Sequence, residues 1–248
     1  MTTRIRLSYT KTGKVRFTGH RDVAHLWERA LRKASIPVAM SAGFTPRPRI
    51  AFGLALPTGA ESLVELLDVI LDGDIDATTL GGMAARLSAA LPVGLDVTDV
   101  WLPESDAGSL QESVVASTWV MLVEGDDVQG ALHRVDEAEE VVLERERKGE
   151  RVVDDIRPAI LALGLASQSL RAVLGDITGE LATATAIEVT LSTSGRGVRP
   201  TELIEVLVPG ADPWDHLRRV VRTNQWIERN GRLVDVLADR VALPLGSA

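Results

Sequence analysis

Residues 49–71 read RIAFGLALPTGAESLVELLDVIL, in which two apolar runs flank the turn-forming segment PTGAES. Apolar runs rich in Ile, Val, Leu and Phe, separated by a short segment that contains Pro and Gly, are typical of a β-hairpin. This hairpin decides the fold, because the elements on either side of it then fix the order of helices and strands.

Helices and strands are predicted on both sides of the hairpin. Before it, one helix ends ahead of Pro37, since apolar residues recur every three or four positions at Val23, Leu26, Trp27, Ala30, Leu31 and Ala34. Residues 4–9, RIRLSY, alternate as in a half-buried strand. After the hairpin come a helix over 76–91 and a strand over 95–102. The order β-α-β-β-α-β predicts a ferredoxin-like split βαβ fold, with an antiparallel sheet and two helices on one face.

A second, looser pass through the same order is predicted after the linker at 103–109. Strands are expected at 114–123, 140–147, 169–174 and 186–191, with helices over 126–138 and from Pro200, and a final hairpin at Asn230-Gly231. We therefore predict an α+β protein of two tandem ferredoxin-like halves. Residues 1–103 form the first, with a basic N-terminal region, and residues 110–248 form the second, with a C-terminal extension.

Charge is distributed unevenly along the chain. The net charge is −8, from 27 Lys and Arg against 35 Asp and Glu. Residues 1–50 hold eleven basic and two acidic residues, net +9, whereas residues 51–140 hold two basic and eighteen acidic residues, net −16. This asymmetry indicates a surface that faces a polyanion, or else cations that neutralise the acidic segment in the folded protein.

Several classes of chemistry lose support from the sequence. The chain has no cysteine, so it supplies no thiolates for a disulfide, a zinc site or an iron–sulfur cluster. It has no Walker, Rossmann, HExxH or GxSxG motif, and its four histidines are scattered. No metal, no cofactor and no complete catalytic constellation is expected. The absence of a signal-like or membrane-spanning apolar run predicts a cytoplasmic protein without membrane contact.

The run RFTGHRD, residues 16–22, is the strongest candidate for chemistry. It places Arg16, His20, Arg21 and Asp22 at a strand-to-helix junction, where unpaired backbone amides favour an anion. His20 and Asp22 are weak catalytic candidates for metal-free RNA cleavage. The alternative is that Thr18 or Asp22 caps the helix and His20 is only a turn residue.

The loop SAGFTPRPRIAF, residues 41–52, combines cations with stiffness. Pro46 and Pro48 restrict the backbone, so Arg47 and Arg49 are expected to project from a pre-ordered segment toward phosphates. Phe44 is expected to stack on a base or to anchor the loop in the core. A solvated edge loop, in which proline discourages strand pairing, is the alternative.

Further basic residues complete the predicted RNA-binding set. Lys14 lies near the N terminus, and five more lie in the second half: Arg145, Arg147, Lys148, Arg196 and Arg199. Interleaved glutamates around 144–150 favour a salt-bridged surface hairpin as the alternative reading. The SGRGVRP segment places Arg196 and Arg199 beside glycines, as in a phosphate-binding loop. The alternative is an ordinary loop before a helix.

The chain resembles the radical-SAM-linked bacterial protein family, a domain of unknown function. The resemblance rests on the RF..H.D run, the S.GF.P.P loop, the P.G.ES turn, the segment RKGERVVDDIRP and VRP at 198–200. Family members usually carry Asn and His at the positions of Thr45 and Arg47, and Leu at the position of Arg21. These departures weaken any assignment of chemistry to those three side chains.

The resemblance implies an accessory protein to a separately encoded radical SAM enzyme, acting in tRNA or rRNA modification or processing. By fold-level analogy, tandem ferredoxin-like halves are also the plan of pseudouridine synthases. The leading expectation is therefore an accessory RNA-binding protein that is not itself an enzyme. The alternatives are a metal-independent RNA-processing enzyme that uses His20, and a protein-only adaptor for the radical SAM partner.

Overall fold

The chain forms two compact units, which are described separately. The computed structural model describes residues 1–75, 77–104, 107–147, 149–175, 183–210 and 212–238. Unit 1 comprises Met1–Val114 and Trp226–Ala248, and unit 2 comprises Val115–Gln225.

Unit 1 contains the predicted split βαβ fold. Its elements in chain order are β1 (Thr2–Lys11), α1 (His20–Lys33), β2 (Ile50–Phe52), β3 (Glu61–Asp72), α2 (Ala77–Leu80), α3 (Met83–Ser88), β4 (Leu95–Trp101) and α4 (Leu110–Ser113). The strands are ordered β4-β1-β3-β2, and each of these pairings is antiparallel. This order is the one that a ferredoxin-like β-α-β-β-α-β chain produces, so the α+β prediction is confirmed.

Helix α1 packs on the sheet through the apolar stripe that the sequence shows. Val23, Trp27, Ala30 and Leu31 are buried against a core that also contains β1, β3 and α3. The opposite side of α1 is exposed, as expected for an amphipathic helix, and it carries Arg21, His25, Arg29, Arg32 and Lys33. The sheet therefore fixes the position of an exposed basic helix surface.

Strand β1 is buried on both faces, which differs from the half-buried strand that its alternation predicts. Ile5 and Leu7 face the core beneath α1, whereas Arg6 and Ser8 are also buried. Arg6 forms two hydrogen bonds to the Asp68 carboxylate on β3, at 2.7 and 3.0 Å. It also donates to the Gly108 carbonyl at 3.3 Å, so the segment after β4 covers this face.

Unit 2 repeats the same plan with an insertion. Its elements are β5 (Val114–Val123), α5 (Val128–Glu137), β6 (Val142–Arg147), β7 (Glu150–Asp155), β8 (Ile160–Leu165), α6 (Gln168–Arg171), β9 (Thr185–Ser192), α7 (Pro200–Leu207), α8 (Pro213–His216) and β10 (Leu217–Arg229). The order β10-β5-β9-β8 is again the ferredoxin-like one, and β6 and β7 form a separate two-stranded hairpin between α5 and β8.

The chain end forms the predicted hairpin. The last strand, β11 (Arg232–Asp235), pairs antiparallel with the end of β10. Asn230 and Gly231 connect the two strands with φ values of 52° and 74°. Positive φ at both central residues is typical of the type I′ turn that Asn-Gly favours.

Between β1 and α1, the segment Gly13–Phe17 forms a 3-10 helix, and Gly13 turns the chain there with a φ of 65°. Three local predictions are wrong. The helix over 76–91 is two short helices, since Gly82 with a φ of 77° breaks it. Residues 169–174 are helical, because the Ser167 hydroxyl accepts a hydrogen bond from Leu170 N and caps a helix. The strand near 140–147 pairs with β7 and not with the main sheet.

Candidate nucleic-acid interface

The loop at residues 41–49 is a closed, protruding structure. Ser41 N donates to the Arg47 carbonyl at 2.8 Å, and Arg47 N donates to the Ser41 hydroxyl at 3.0 Å. Arg49 N donates to the Ala39 carbonyl at 2.9 Å. These bonds close the loop at its base, and the two prolines restrict its backbone.

All residues of this loop except Pro48 are exposed. Arg47 and Arg49 are exposed, and the ring of Phe44 is fully exposed. The expectation that Phe44 could anchor the loop in the core is therefore wrong, whereas stacking on a base stays a prediction. At the end of the stretch, Phe52 contacts the ring of His20 edge-to-face, with 5.0 Å between centroids. This contact places the start of α1 beside the end of the loop segment.

A groove lies between the loop and the exposed side of α1. Its volume is about 380 Å³. The helix contributes His25, Glu28 and Arg32, and the loop contributes Arg47, so the groove carries two guanidinium groups, one imidazole and one carboxylate. The remaining lining residues are apolar: Leu31, Ile36, Val38, Met40, Pro46 and Pro48.

The 3-10 helix at Gly13–Phe17 presents a second aromatic and cationic pair. The guanidinium of Arg16 lies 4.4 Å from the ring centre of Phe17, whose side chain is 62% exposed. The turn is held in place by the PTGAES segment, because Gly59 N donates to the Arg16 carbonyl at 2.9 Å. The Glu61 carboxylate accepts from Gly13 N at 2.7 Å. The turn motif and the RF run are therefore directly hydrogen-bonded to each other.

A buried lysine fixes the segment that leads into α1. The Lys11 ammonium donates to the carbonyls of Thr18 and Arg16, at 2.8 and 3.5 Å. Burial lowers the pKa of Lys11, and the negative charge of Glu65 opposes that shift. Lys11 therefore orients the backbone before α1 and is not part of the solvent-facing set of cations.

The start of α1 has no side-chain cap. The N-cap residue is Gly19, and neither Thr18 nor Asp22 accepts a capping hydrogen bond, so the expected cap is wrong. Among the described residues, no ion pair or side-chain hydrogen bond joins His20 to Asp22. The two weak catalytic candidates lie two positions apart in sequence but do not form an acid/base pair in this structure.

We define the basic surface of unit 1 as the exposed or half-exposed cations of the 3-10 helix, α1 and the loop. They are Lys14, Arg16, Arg21, Arg29, Arg32, Lys33, Arg47 and Arg49. Within the described ranges, none of these eight side chains takes part in an ion pair. The acids on α1 are Asp22 and Glu28. A concentration of unpaired cations on one unit of an acidic protein produces a local positive potential.

The predicted RNA-binding residues of unit 2 have different surroundings. Asp154 accepts hydrogen bonds from Arg145 at 2.8 Å and from Arg196 at 3.0 Å. Arg196 also donates twice to Glu202, at 3.0 and 3.1 Å, and Glu202 accepts from Arg199 N at 2.8 Å. The bonds from Arg145 and Arg196 lower the pKa of Asp154. These two arginines stabilise the junction between the inserted hairpin and α7.

The other three predicted residues of unit 2 are Arg147, Lys148 and Arg199. The Arg199 side chain is exposed at the start of α7, and Arg147 ends β6 opposite Glu150. Lys148 lies outside the described residues. Arg157, in the DIRP segment, donates to three carbonyls, those of Ala138, Ile160 and Asp136, at 2.9–3.1 Å. Its role is to tie the end of α5 to the start of β8.

The sequence analysis identified the apolar stripe of α1 but missed three contributors to the interface. His25 and Arg32 lie on the opposite side of the helix, and only the structure brings them into one groove with Arg47. Phe17 belongs to the RF motif, but nothing in the local pattern indicates that its ring is exposed beside Arg16. An aromatic flanked by Arg and Thr in a turn is the signal that could have suggested it.

Other kinds of site find no support in the described part of the chain. No group of three or more His, Asp or Glu side chains in the described ranges is arranged to hold a metal ion. Of the helices that the structure describes, none has the length and apolar character needed to cross a bilayer.

Two solved structures show distant similarity to the chain. A chain from the crystal structure of a Cbf5-Nop10-Gar1 complex has a TM-score of 0.41 and 10% identity, over 89% of this chain and 48% of that one. The chain thus spans about half the length of that relative. The acetolactate synthase small subunit from Thermotoga maritima has a TM-score of 0.23 and 14% identity, over 95% and 97%. At such low TM-scores, neither similarity carries an argument.

A family model provides the assignment. No curated protein matches the sequence. The model described as "Uncharacterized protein conserved in bacteria (DUF2344)" matches residues 4–200, which include all of the motifs quoted above. The match covers well over half of the chain, from β1 to the start of α7. The chain therefore belongs to this uncharacterized bacterial family.

Proposed function

We propose that the chain is an accessory RNA-binding protein that binds RNA through the basic surface of unit 1. The observation that carries the proposal is the set of eight unpaired cations on the 3-10 helix, α1 and the loop. Six of these eight residues are Arg, which supports the proposal because a guanidinium group can form two hydrogen bonds to one phosphate. Phosphate contacts of this kind dominate the affinity of nucleic-acid-binding proteins.

Two further features favour RNA over a generic polyanion. Phe17 and Phe44 are exposed aromatic rings within the same stretch as the cations. Bases stack on exposed rings, and recognition of RNA relies largely on unstacked bases and aromatic side chains. The hydrogen-bonded loop also holds Arg47 and Arg49 before binding, which reduces the entropy lost in the complex.

The proposal includes a separate radical SAM enzyme as the partner, in tRNA or rRNA modification or processing. This part rests on the resemblance described under the sequence analysis. The cysteine-free sequence supports a division of labour, because these 248 residues supply no thiolate for an iron–sulfur cluster. The accessory protein would bind the RNA, and the partner would carry the cluster and perform the chemistry.

RNA binding is tested with an Arg47→Ala, Arg49→Ala double variant. Because both side chains are exposed and outside the core, we expect an unchanged fold and weaker binding to every RNA sequence. The slope of log affinity against log salt should become shallower by about one per arginine removed. Fluorescence anisotropy with a labelled single-stranded RNA measures both quantities.

The matched control removes two exposed arginines that lie outside the basic surface, by Arg171→Ala and Arg232→Ala. We expect nearly unchanged affinity from this control. If both double variants lose affinity equally, binding does not use the basic surface, and the proposal is wrong. Affinity purification with and without ribonuclease tests the partner. If a radical SAM enzyme is recovered only when the RNA is intact, the two proteins are connected through RNA and do not contact each other directly.

A further inference from the structure

The groove between α1 and the loop has the dimensions and lining of a site for one small ligand. Its volume of about 380 Å³ falls within the range of roughly 300–1,000 Å³ that is usual for such sites. We infer that it holds a single unpaired nucleotide of the bound RNA. This inference rests on the proposed function and specifies the class of RNA that the basic surface recognises.

The apolar part of the groove suits the face of a nucleobase. Val38, Pro46 and the half-exposed Met40 supply apolar surface that a base can contact, and the buried Leu31 and Ile36 form the floor behind them. A thioether makes favourable contacts with aromatic rings, and a planar base buries an apolar face in such a site. Inorganic phosphate would gain nothing from these contacts.

The charged part of the groove suits the phosphate and the polar edge of the nucleotide. Arg32 projects from the helix and Arg47 from the loop, so a phosphate in the groove meets guanidinium groups from two elements. Glu28, with its carboxylate 3.5 Å from His25 Nδ1, is an acceptor for a base amino group or a ribose hydroxyl. A carboxylate is unfavourable in a site for phosphate alone, so its presence favours a nucleotide.

The same lining disfavours paired RNA. In an A-form duplex the bases are stacked and paired, and the major groove is too narrow for side chains to reach them. A base can enter a pocket only when it is unpaired or turned out of the helix. The groove therefore predicts preference for single-stranded or bulged RNA, whereas the surrounding cations alone would bind a duplex equally well.

The first test compares two arginines on the same helix. Both Arg29 and Arg32 are exposed on α1, but only Arg32 lines the groove, so Arg29→Gln is a matched control for Arg32→Gln. With a fluorescein-labelled 12-nucleotide single strand, we expect Arg32→Gln to weaken binding by at least about tenfold, as for one lost charge-assisted hydrogen bond. Arg29→Gln removes one cation of the basic surface and leaves the groove intact, so it should weaken binding by only about threefold, as for one lost phosphate contact.

A second pair of variants blocks the groove without removing a cation. Met40→Glu puts a carboxylate against the wall of the groove, and Ala85→Glu adds the same charge at an exposed position of α3. We expect only Met40→Glu to weaken single-strand binding strongly. Thermal unfolding midpoints verify that both variants fold. Adenosine 5′-monophosphate should compete with the single strand at concentrations at which inorganic phosphate of equal ionic strength does not.

The outcomes separate this inference from the proposed function. A 12-base-pair RNA duplex is measured beside the single strand. If the duplex binds as tightly as the single strand, the nucleotide site is wrong but RNA binding stands. The same holds if Arg29→Gln and Arg32→Gln lose affinity equally. Equal competition by phosphate and the nucleotide also overturns the site. If neither RNA binds the wild-type protein at low salt, the proposed function fails together with the inference.

Discussion

Replacement of Asp68 should strongly destabilise unit 1. The carboxylate of this residue accepts two hydrogen bonds from Arg6, and both side chains are only 7% exposed. An Asp68→Leu variant leaves a guanidinium that is almost fully buried, with the neutral Gly108 carbonyl at 3.3 Å as a remaining acceptor. A neutral acceptor does not replace a counter-charge in a site that excludes water.

The size of the effect follows from the burial of the pair. Removal of one partner of a buried ion pair costs about 3–5 kcal/mol of the free energy of unfolding. A loss of about 3 kcal/mol corresponds to a fall of roughly 6–12 °C in the melting temperature of a protein of this size. The cost arises from the unpaired charge, so an Arg6→Met, Asp68→Leu double variant should recover most of it.

Urea unfolding monitored by circular dichroism measures these differences. Asp72→Leu is the matched control, because Asp72 is exposed at the end of the same strand, and this change should alter the free energy of unfolding by no more than about 0.5 kcal/mol. If the double variant is as unstable as Asp68→Leu, the loss comes from packing and not from the unpaired charge. That result would refute the reasoning.

Two further predictions concern the other parts of the molecule. Phe44→Ala should weaken single-stranded RNA binding by about 1–3 kcal/mol per stacked base. The unfolding midpoint should not change, because the ring is fully exposed. An unchanged affinity would show that no base stacks on this ring. Because the bonds from Arg145 and Arg196 lower the pKa of Asp154, its carboxylate stabilises the fold above about pH 4, and this contribution disappears as the pH falls through the lower folded-state pKa. Urea midpoints of wild type and Asp154→Asn should therefore differ most above pH 4 and converge in stronger acid, and a difference that is constant with pH would contradict this.

The fold could be predicted in outline because its main signals are local. The apolar stripe on α1 repeats with the period of a helix, and the two apolar runs around PTGAES are typical of a hairpin. Together they define the split βαβ order. Period alone does not identify the partner of a strand, so β6 was expected in the main sheet although it pairs with β7. The burial of Arg6 was missed for a related reason, since Asp68 lies 62 residues away.

The candidate site could be predicted only in part. Composition located the cations at residues 14–49, and the loop between Ser41 and Arg49 is closed by hydrogen bonds in addition to its prolines. The groove was not predictable, because Arg32 and Arg47 are separated by the turn after α1 and meet only when the loop folds back over the helix. In unit 2, the sequence analysis identified Arg145 and Arg196, but it did not predict that both side chains donate hydrogen bonds to Asp154.

The salt dependence of RNA binding by the wild-type protein tests the central claim most directly. If between four and eight cations of the basic surface contact phosphates, the slope of log affinity against log salt for a single strand should lie between about −3 and −6, at roughly −0.7 per contact. Fluorescence anisotropy between about 50 and 200 mM salt covers the informative range. A slope near zero, or no binding at the lowest salt, would contradict the assignment of this surface to RNA.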